Sequence, residues 1–244
     1  MLVLVHGVPE TAALWDAFRA RIGVPSLALA MPGFGCARPA GFAATKDAYV
    51  AWLVQQLDRL DEPADLLGHD WGAALTYRVA TAHGDRLRSW VADVANVMHP
   101  DHRWHDLARI WQTPGEGEAF FRRQQATPVE ERAAVFEAWG VPHADAVDLA
   151  GASDQTMASC ILDLYRSALP NPHAHWHDGW GRTSAPGLVL FPSQDPFGDE
   201  DQSRQVAEML GARNETLPGV GHWWPLQAPD TAAAVVGDFV SSAH

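Results

Sequence analysis

Cysteine is nearly absent from this 244-residue chain, which carries only Cys36 and Cys160. The two lack the spacing of a metal site, and so few in a chain of this length predict a reducing, cytoplasmic setting. Positive charge is also scarce. Seventeen Lys and Arg stand against thirty Asp and Glu, a net charge of −13. That balance argues against nucleic acid, whose phosphates demand basic patches, and against anionic membrane surfaces. No apolar run reaches the roughly 18 residues of a membrane span, and the opening MLVLVHG is too short for the apolar region of a signal peptide. Internal repeats and low-complexity linkers are lacking. Tyrosine occurs three times, whereas tryptophan occurs eleven times; most tryptophans belong to packing, but an apolar pocket can be lined with them too.

What is present is an ordinary globular balance, 47% apolar and 19% charged, of a length that fits one domain with an insertion. Leu2–Val5 reads as a buried strand running into His6-Gly7. Residues 10 to 22 have helical periodicity through Leu14, Trp15, Phe18 and Ile22, and SLALAMPGFG is a second strand stopped by Pro32 and Gly33. Residues 45 to 60 predict an amphipathic helix with Thr45 as N-cap. Asp65–Gly68 is a third strand, followed by a helix over 73 to 82. LRSWVADVAN and PGLVLFPSQD give a fourth and a fifth strand. A helix over 202 to 211 and a short last strand in ARNETLPGVGH follow. Strands alternating with helices predict the α/β class with a parallel sheet. Between about 97 and 182 the alternation stops. That stretch predicts a helical insertion over the strand ends, dividing the chain into a core of 1–96 and 183–244 and a cap of 97–182.

The chemistry starts at Gly68-His69-Asp70-Trp71-Gly72, which has the spacing of a sharp strand-to-helix turn that presents its middle residue. The start of the helix beside Asp70 favours an ionised carboxylate; a plain helix cap is the bland reading. His69 supports the turn and is given no chemical role. In His6-Gly7-Val8-Pro9-Glu10, the Val8 amide can be aimed at a developing oxyanion together with that of Trp71, although a simple tight turn would read the same way. Asp195 follows an apolar strand, and His222 follows the next. Asp70, Asp195 and His222 stand in the order nucleophile, acid, base, with roughly 125 residues and then under about 30 between them.

The chain resembles the α/β-hydrolase superfamily, and within it the aspartate-nucleophile branch of epoxide hydrolases and haloalkane dehalogenases. The strongest matches are HGVPE, PGFG, GHDWG and GHWW. The resemblance implies a mostly parallel sheet flanked by helices, a helical cap and cofactor-independent hydrolysis. A carboxylate at the elbow suits displacement at a saturated carbon, giving an alkyl ester on Asp70 that water activated by His222 and Asp195 then cleaves. The partners implied are a small apolar substrate and water.

Epoxide and halide make different demands. An epoxide oxygen must be protonated, and Tyr165-Arg166 resembles the pair that carries a ring-opening tyrosine in epoxide hydrolases; the alternative is an aromatic on an amphipathic cap helix. The segment resembling that of a second donor offers Trp111 and no phenol. Trp111 could instead pair with Trp71 as two indole donors around a halide. Glu10 and Asn96 are read as pocket residues, Glu10 favouring the epoxide hydrolases. Asp93 is the fallback acid, because some relatives keep theirs at the end of the fourth strand. A ligand-binding protein that keeps the fold without turnover is a rival of another class. Strand Leu2–Val5 leaves no sequence for the antiparallel strands that precede it in the superfamily, so the sheet edge is expected to be exposed, shortened or paired with another subunit, the last giving a homodimer. His99, His102 and His105 could share a helix face, and His173, His175 and His177 alternate; neither set has the companions of a metal site, and no metal is expected.

Overall fold

The computed structural model describes residues 1–176 and 180–243. Its strands are β1 (Leu2–Val5), β2 (Ser26–Leu29), β3 (Ala64–Gly68), β4 (Leu87–Ala92), β5 (Gly187–Pro192) and β6 (Arg213–Leu217). They form one six-stranded sheet in the order β2-β1-β3-β4-β5-β6, and each neighbouring pair is parallel. Helices α1 (Asp16–Arg19), α2 (Lys46–Leu57) and α3 (Trp71–Ala82) lie within the first half. Between β4 and β5 come α4 (Asp106–Gln112), α5 (Glu116–Ala126), α6 (Val129–Ala138), α7 (His143–Ala152) and α8 (Gln155–Ser167). The chain then adds α9 (Glu200–Leu210), α10 (Trp224–Gln227) and α11 (Pro229–Ser242). This is an α/β-hydrolase fold.

The strand sequences explain the layering. Successive side chains on a strand point to opposite faces, and here both faces are apolar. Val3, Val5, Leu66, Trp90, Ala92 and Val189 enter one core with Tyr49, Leu53 and Tyr77 from α2 and α3. Leu2, Leu4, Leu67, Val91, Leu188 and Leu190 enter the other with Trp15, Phe18, Trp224 and Phe239. A sheet covered on both sides needs continuous apolar runs, as these strands have. At the edges the pattern weakens: Leu27 of β2 is 40% exposed, and only Leu217 of β6 is buried.

Thr45 caps α2, its hydroxyl accepting from the Ala48 amide at 3.2 Å. The chain's single lysine, Lys46, is buried in the first turn. Its ammonium donates to the Ala174 carbonyl at 2.7 Å and lies 4.0 Å above the Trp176 ring, tying the stretch after α8 to the core. Three expectations need correction. The helix expected over 10 to 22 is a 3-10 turn over Ala12–Trp15 followed by the short α1, because Thr11 caps a tight turn, its side chain accepting from the Ala13 amide and its carbonyl from the Leu14 amide. His99, His102 and His105 do not share a helix face. Pro100 interrupts the segment, and His105 is the N-cap of α4, its Nδ1 accepting from the Ala108 amide at 3.2 Å. Helix α11 was not anticipated, although Pro229 at its first turn is a helix-start signal. His177 of the alternating histidines lies outside the described residues.

Helix α3 crosses β1 at very close range. A Cβ on Gly72 would sit 2.2 Å from the Val5 carbonyl oxygen and 2.7 Å from that of His6, both backbone atoms that cannot move aside cheaply. Gly72→Ala is therefore expected to lower the unfolding free energy by about 2–3 kcal/mol, read as a reduced denaturant midpoint at unchanged slope. An unchanged midpoint would contradict this packing.

Candidate active site

Asp70 sits where β3 turns into α3, with φ 52° and ψ −117°, a region that non-glycine residues occupy at a cost. The glycines around it make the turn possible. A Cβ on Gly68 would fall 2.2 Å from the Gly72 carbonyl oxygen, and one on Gly7 would fall 2.3 Å from the Asp70 side chain. So close an approach of β1 lets the Val8 amide donate to Asp70 Oδ1 at 2.8 Å, and the Trp71 amide also donates to the carboxylate. Two backbone N–H groups thus converge on one carboxylate oxygen region, the arrangement that stabilises an oxyanion.

His222 follows β6 and lies with Nε2 3.8 Å from Asp70 Oδ2. Its Nδ1 donates to Asp195 Oδ2 at 2.8 Å, and Asp195 Oδ1 accepts from the Phe197 amide at 2.8 Å. The imidazole is thereby oriented with one nitrogen facing the elbow. Burial alone would depress the His222 pKa, but Asp195 raises it above the usual value. Asp70 behaves differently from expectation. Burial pushes its carboxyl up to about 6 against the opposing pull of His222, so the helix start does not keep it low.

Beneath the elbow lies a closed polar cluster. His69 Nδ1 donates to Asp93 Oδ2 at 2.5 Å, and its Nε2 donates to Glu10 Oε1 at 3.1 Å. Asp93 also accepts from the Asp70 amide (2.9 Å) and the Trp224 indole (2.6 Å), while Glu10 accepts from the Gly7 amide (2.8 Å). All three charged groups are fully buried. Burial opposes charge on each, yet the flanking carboxylates raise the His69 pKa well above its usual value. The imidazolium in turn lowers those of Asp93 and Glu10. Glu10, His69 and His222 bring potential ligand atoms within 4.8 Å of one another, but a His69 that donates from both nitrogens has no lone pair to offer a cation.

Above Asp70 is a cavity of about 380 Å³. Tyr165, buried on α8, lies with its ring 5.3 Å from that of Trp71 and its hydroxyl hydrogen-bonded to the Trp71 side chain. Burial and the Asp70 charge raise its pKa well above the usual phenol value. Trp111 lines the cavity 4.8 Å from Tyr165, and Trp104 stacks on Trp71 at 6.1 Å. The indole N–H groups of Trp104, Trp111 and Trp223 are buried with no partner among the described residues.

The structure therefore brings together Asp70, His222, Asp195, Val8, Trp71, Tyr165 and Trp111. Glu10 and Asn96 do not line the cavity. Glu10 is buried behind the elbow, and Asn96 Nδ2 donates to the Phe197 carbonyl at 2.9 Å, outside the pocket wall. Asp93 serves His69 and not His222. Trp104, Trp223, Phe197 and the face of α6 were not foreseen, since their neighbours are set by how the cap folds back.

The family model described as "Alpha/beta hydrolase family" matches residues 2–235. Two curated relatives are similar along the chain. The 2-hydroxymuconate semialdehyde hydrolase of Pseudomonas sp. (strain CF600) is 25% identical, over 99% of this chain and 87% of its own. Epoxide hydrolase 3 of Xenopus tropicalis is 23% identical, over 98% and 71%. Among solved structures, the haloalkane dehalogenase DbeA of Bradyrhizobium elkani superposes with a TM-score of 0.77 at 19% identity, covering 99% of this chain and 90% of that one.

The cluster predicts a pH effect on stability. A histidine whose pKa is raised on folding contributes stability fully present below its unfolded value near 6.5 and lost as pH rises through its folded value. Between pH 7 and 9, wild-type stability should thus fall more steeply than that of His69→Gln, by up to about 1.4 kcal/mol per pH unit. The variant should be less stable by roughly 3–5 kcal/mol at pH 6.5, because it strands two buried carboxylates. Parallel denaturation profiles across that range would contradict a protonated His69.

Proposed function

Because the chain belongs to the alpha/beta hydrolase family, we propose that it hydrolyses small apolar molecules through a covalent alkyl ester on Asp70, and that epoxides opened to vicinal diols are its substrates. The observation that carries this reading is the Val8 amide on Asp70 Oδ1 with His222 Nε2 3.8 Å from Oδ2. One oxygen is held by the future oxyanion site, and the other faces the base across a gap.

Asp70 Oδ2 attacks an epoxide carbon from the back, a new C–O bond forms, and the ring C–O bond breaks. The Tyr165 hydroxyl, held by the Trp71 side chain, donates its proton to the departing oxygen. The electrostatics favour that order. The Asp70 charge helps to hold the proton on Tyr165, and forming the neutral ester removes that charge as the proton is needed. His222 Nε2 then takes a proton from water, whose oxygen attacks the Asp70 carbonyl carbon. The resulting oxyanion lies between the Val8 and Trp71 amides. Collapse breaks the bond from the Asp70 carbonyl carbon to the substrate oxygen, and the proton of the added hydroxyl passes to that oxygen to complete the diol. The water oxygen stays in the ionised Asp70, and the proton on His222 returns to Tyr165. Asp195 holds the imidazole and stabilises its charged form. Helices α4–α8 act as the cap, with aromatic walls that exclude water and suit an apolar substrate.

The buried, unpartnered indoles of Trp104 and Trp111 support a second reading, in which they and Trp71 receive a halide leaving as an anion. His222→Gln separates the readings, because it blocks ester hydrolysis. Incubated with styrene oxide and with 1-bromobutane, it should gain the full mass of the epoxide on the peptide containing Asp70. An alkyl gain from bromobutane alone would favour the halide. No adduct from either compound would leave a ligand-binding protein. Tyr165→Phe should cut epoxide turnover by about 10²-fold or more.

The nucleophile must be ionised, and its carboxyl sits at about 6. The wild-type kcat/KM should therefore fall as pH drops through 6, one decade per unit below it. A profile flat down to pH 4.5 would count against an Asp70 nucleophile in this environment.

A further inference from the structure

The wall of the cavity reverses the charge balance of the chain. The protein has thirty acidic residues against seventeen Lys and Arg, yet among the described residues lining the cavity the only carboxylate is Asp70, while Arg103 and Arg132 supply two guanidinium groups. His102 and His105 also line it, but burial and neighbouring cationic groups push both down to about 4, so they are neutral near pH 7.

Arg132 is the more telling of the two. Arg38, Arg86, Arg88 and Arg166 each sit on a carboxylate. Arg132, by contrast, has no ion pair among the described residues, and its Nε is buried without a hydrogen-bond partner, as is that of Arg166, whose other nitrogens hold Glu118. It lies on α6, whose residues Arg132, Val135 and Phe136 line the cavity together with Trp139, the C-cap of the helix. Their spacing puts them on one helix face. The far end of that face reaches the catalytic histidine: Phe136 packs 5.4 Å from Trp223, Trp139 5.6 Å from Phe197, and both of those rings lie within 5.0 Å of His222. Arg132 is seven positions from Trp139, roughly 10 Å along the axis. The face thus runs from the reacting end, through apolar side chains, to an unsatisfied cationic donor.

We propose that Arg132 is a specificity-determining residue that binds an anionic end group of the substrate, so that the preferred substrate carries a carboxylate several carbons from the reacting carbon. As a statement about substrates this rests on the Asp70 hydrolase reading; as a statement about binding it does not. A planar guanidinium with unused donors is suited to a carboxylate, and in a net-acidic protein a local cationic wall is what draws an anion in.

Octanoate and 1-octanol, titrated against the cavity's own tryptophan fluorescence, test the binding. Wild type should bind octanoate at least ten-fold more tightly than the alcohol. Arg132→Gln should bring that ratio to within two-fold, and Arg132→Lys should retain part of it. A ratio of affinities within each variant is insensitive to the fraction folded. The same comparison between 7,8-epoxyoctanoate and its methyl ester should show a ten-fold lower KM for the acid in wild type only. Equal affinities in wild type, or a preference that survives Arg132→Gln, would overturn the assignment even if both epoxides are hydrolysed. A carboxylate preference that depends on Arg132, in a protein that forms no Asp70 adduct, would uphold the anion site and remove the hydrolase reading instead.

Discussion

A backbone held at φ 52° by everything around it is the constraint on which this site rests. The conformation at Asp70 is unfavourable in isolation by about 1–3 kcal/mol, so it persists only because β1, β3 and α3 leave the chain no alternative. Gly68 and Gly72 allow the strand and helix to meet without a side chain between them. Asp93, on the loop after β4, accepts the Asp70 amide hydrogen and fixes the turn from behind. The same close approach that strains the residue delivers the Val8 amide to its carboxylate. Strain, the presented carboxylate and the amides that face it are one geometric consequence of three elements packed at a strand crossing.

Charge is then distributed so that neighbouring carboxylates do different work. Asp93 and Glu10 are kept ionised by His69 and carry hydrogen bonds that hold the elbow and the Gly7 turn. Asp195 is committed to His222. Asp70 has an open side, facing the cavity, and burial raises its carboxyl to about 6, whereas those of Asp93 and Glu10 are lowered. An anion poorly stabilised by its surroundings is a better nucleophile toward carbon than one wrapped in hydrogen bonds. The buried cluster below holds the turn, with Asp93 accepting the Asp70 amide hydrogen.

Much of this was legible in the residues. Apolar runs mark β1, β3, β4 and β5, because a sheet covered on both faces leaves a continuous signal, whereas edge strand β6 has only Leu217 buried and carries no such run. The spacing of Gly68, Asp70 and Gly72, and the positions of Asp195 and His222 just after apolar strands, pointed to side chains that the fold does bring together. Other features were not legible, and for definite reasons. The network of His69, Asp93 and Glu10 joins residues far apart in sequence through contacts that no local pattern encodes, so Glu10 looked like a pocket residue when it belongs to that network, and Asn96 looked like one when it is turned to the Phe197 carbonyl. The level of the Asp70 pKa depends on desolvation, which only the packed cap reveals. Trp104 and Arg132 face the cavity because of how α4 and α6 fold back over the strand ends, a matter of tertiary docking and not of helical periodicity. Helix α1 is shorter than its periodicity suggests because the segment opens with a tight 3-10 turn capped by Thr11.

The central claim is that an Asp70 oxygen becomes bonded to substrate carbon and that water then attacks the Asp70 carbonyl. The most direct measurement follows the oxygen. In a single turnover in water enriched in oxygen-18, with enzyme in excess, the account predicts a diol carrying no label and a peptide containing Asp70 heavier by one oxygen-18. Label in the diol with an unlabelled Asp70 would mean that water attacks the substrate directly, and would contradict the account.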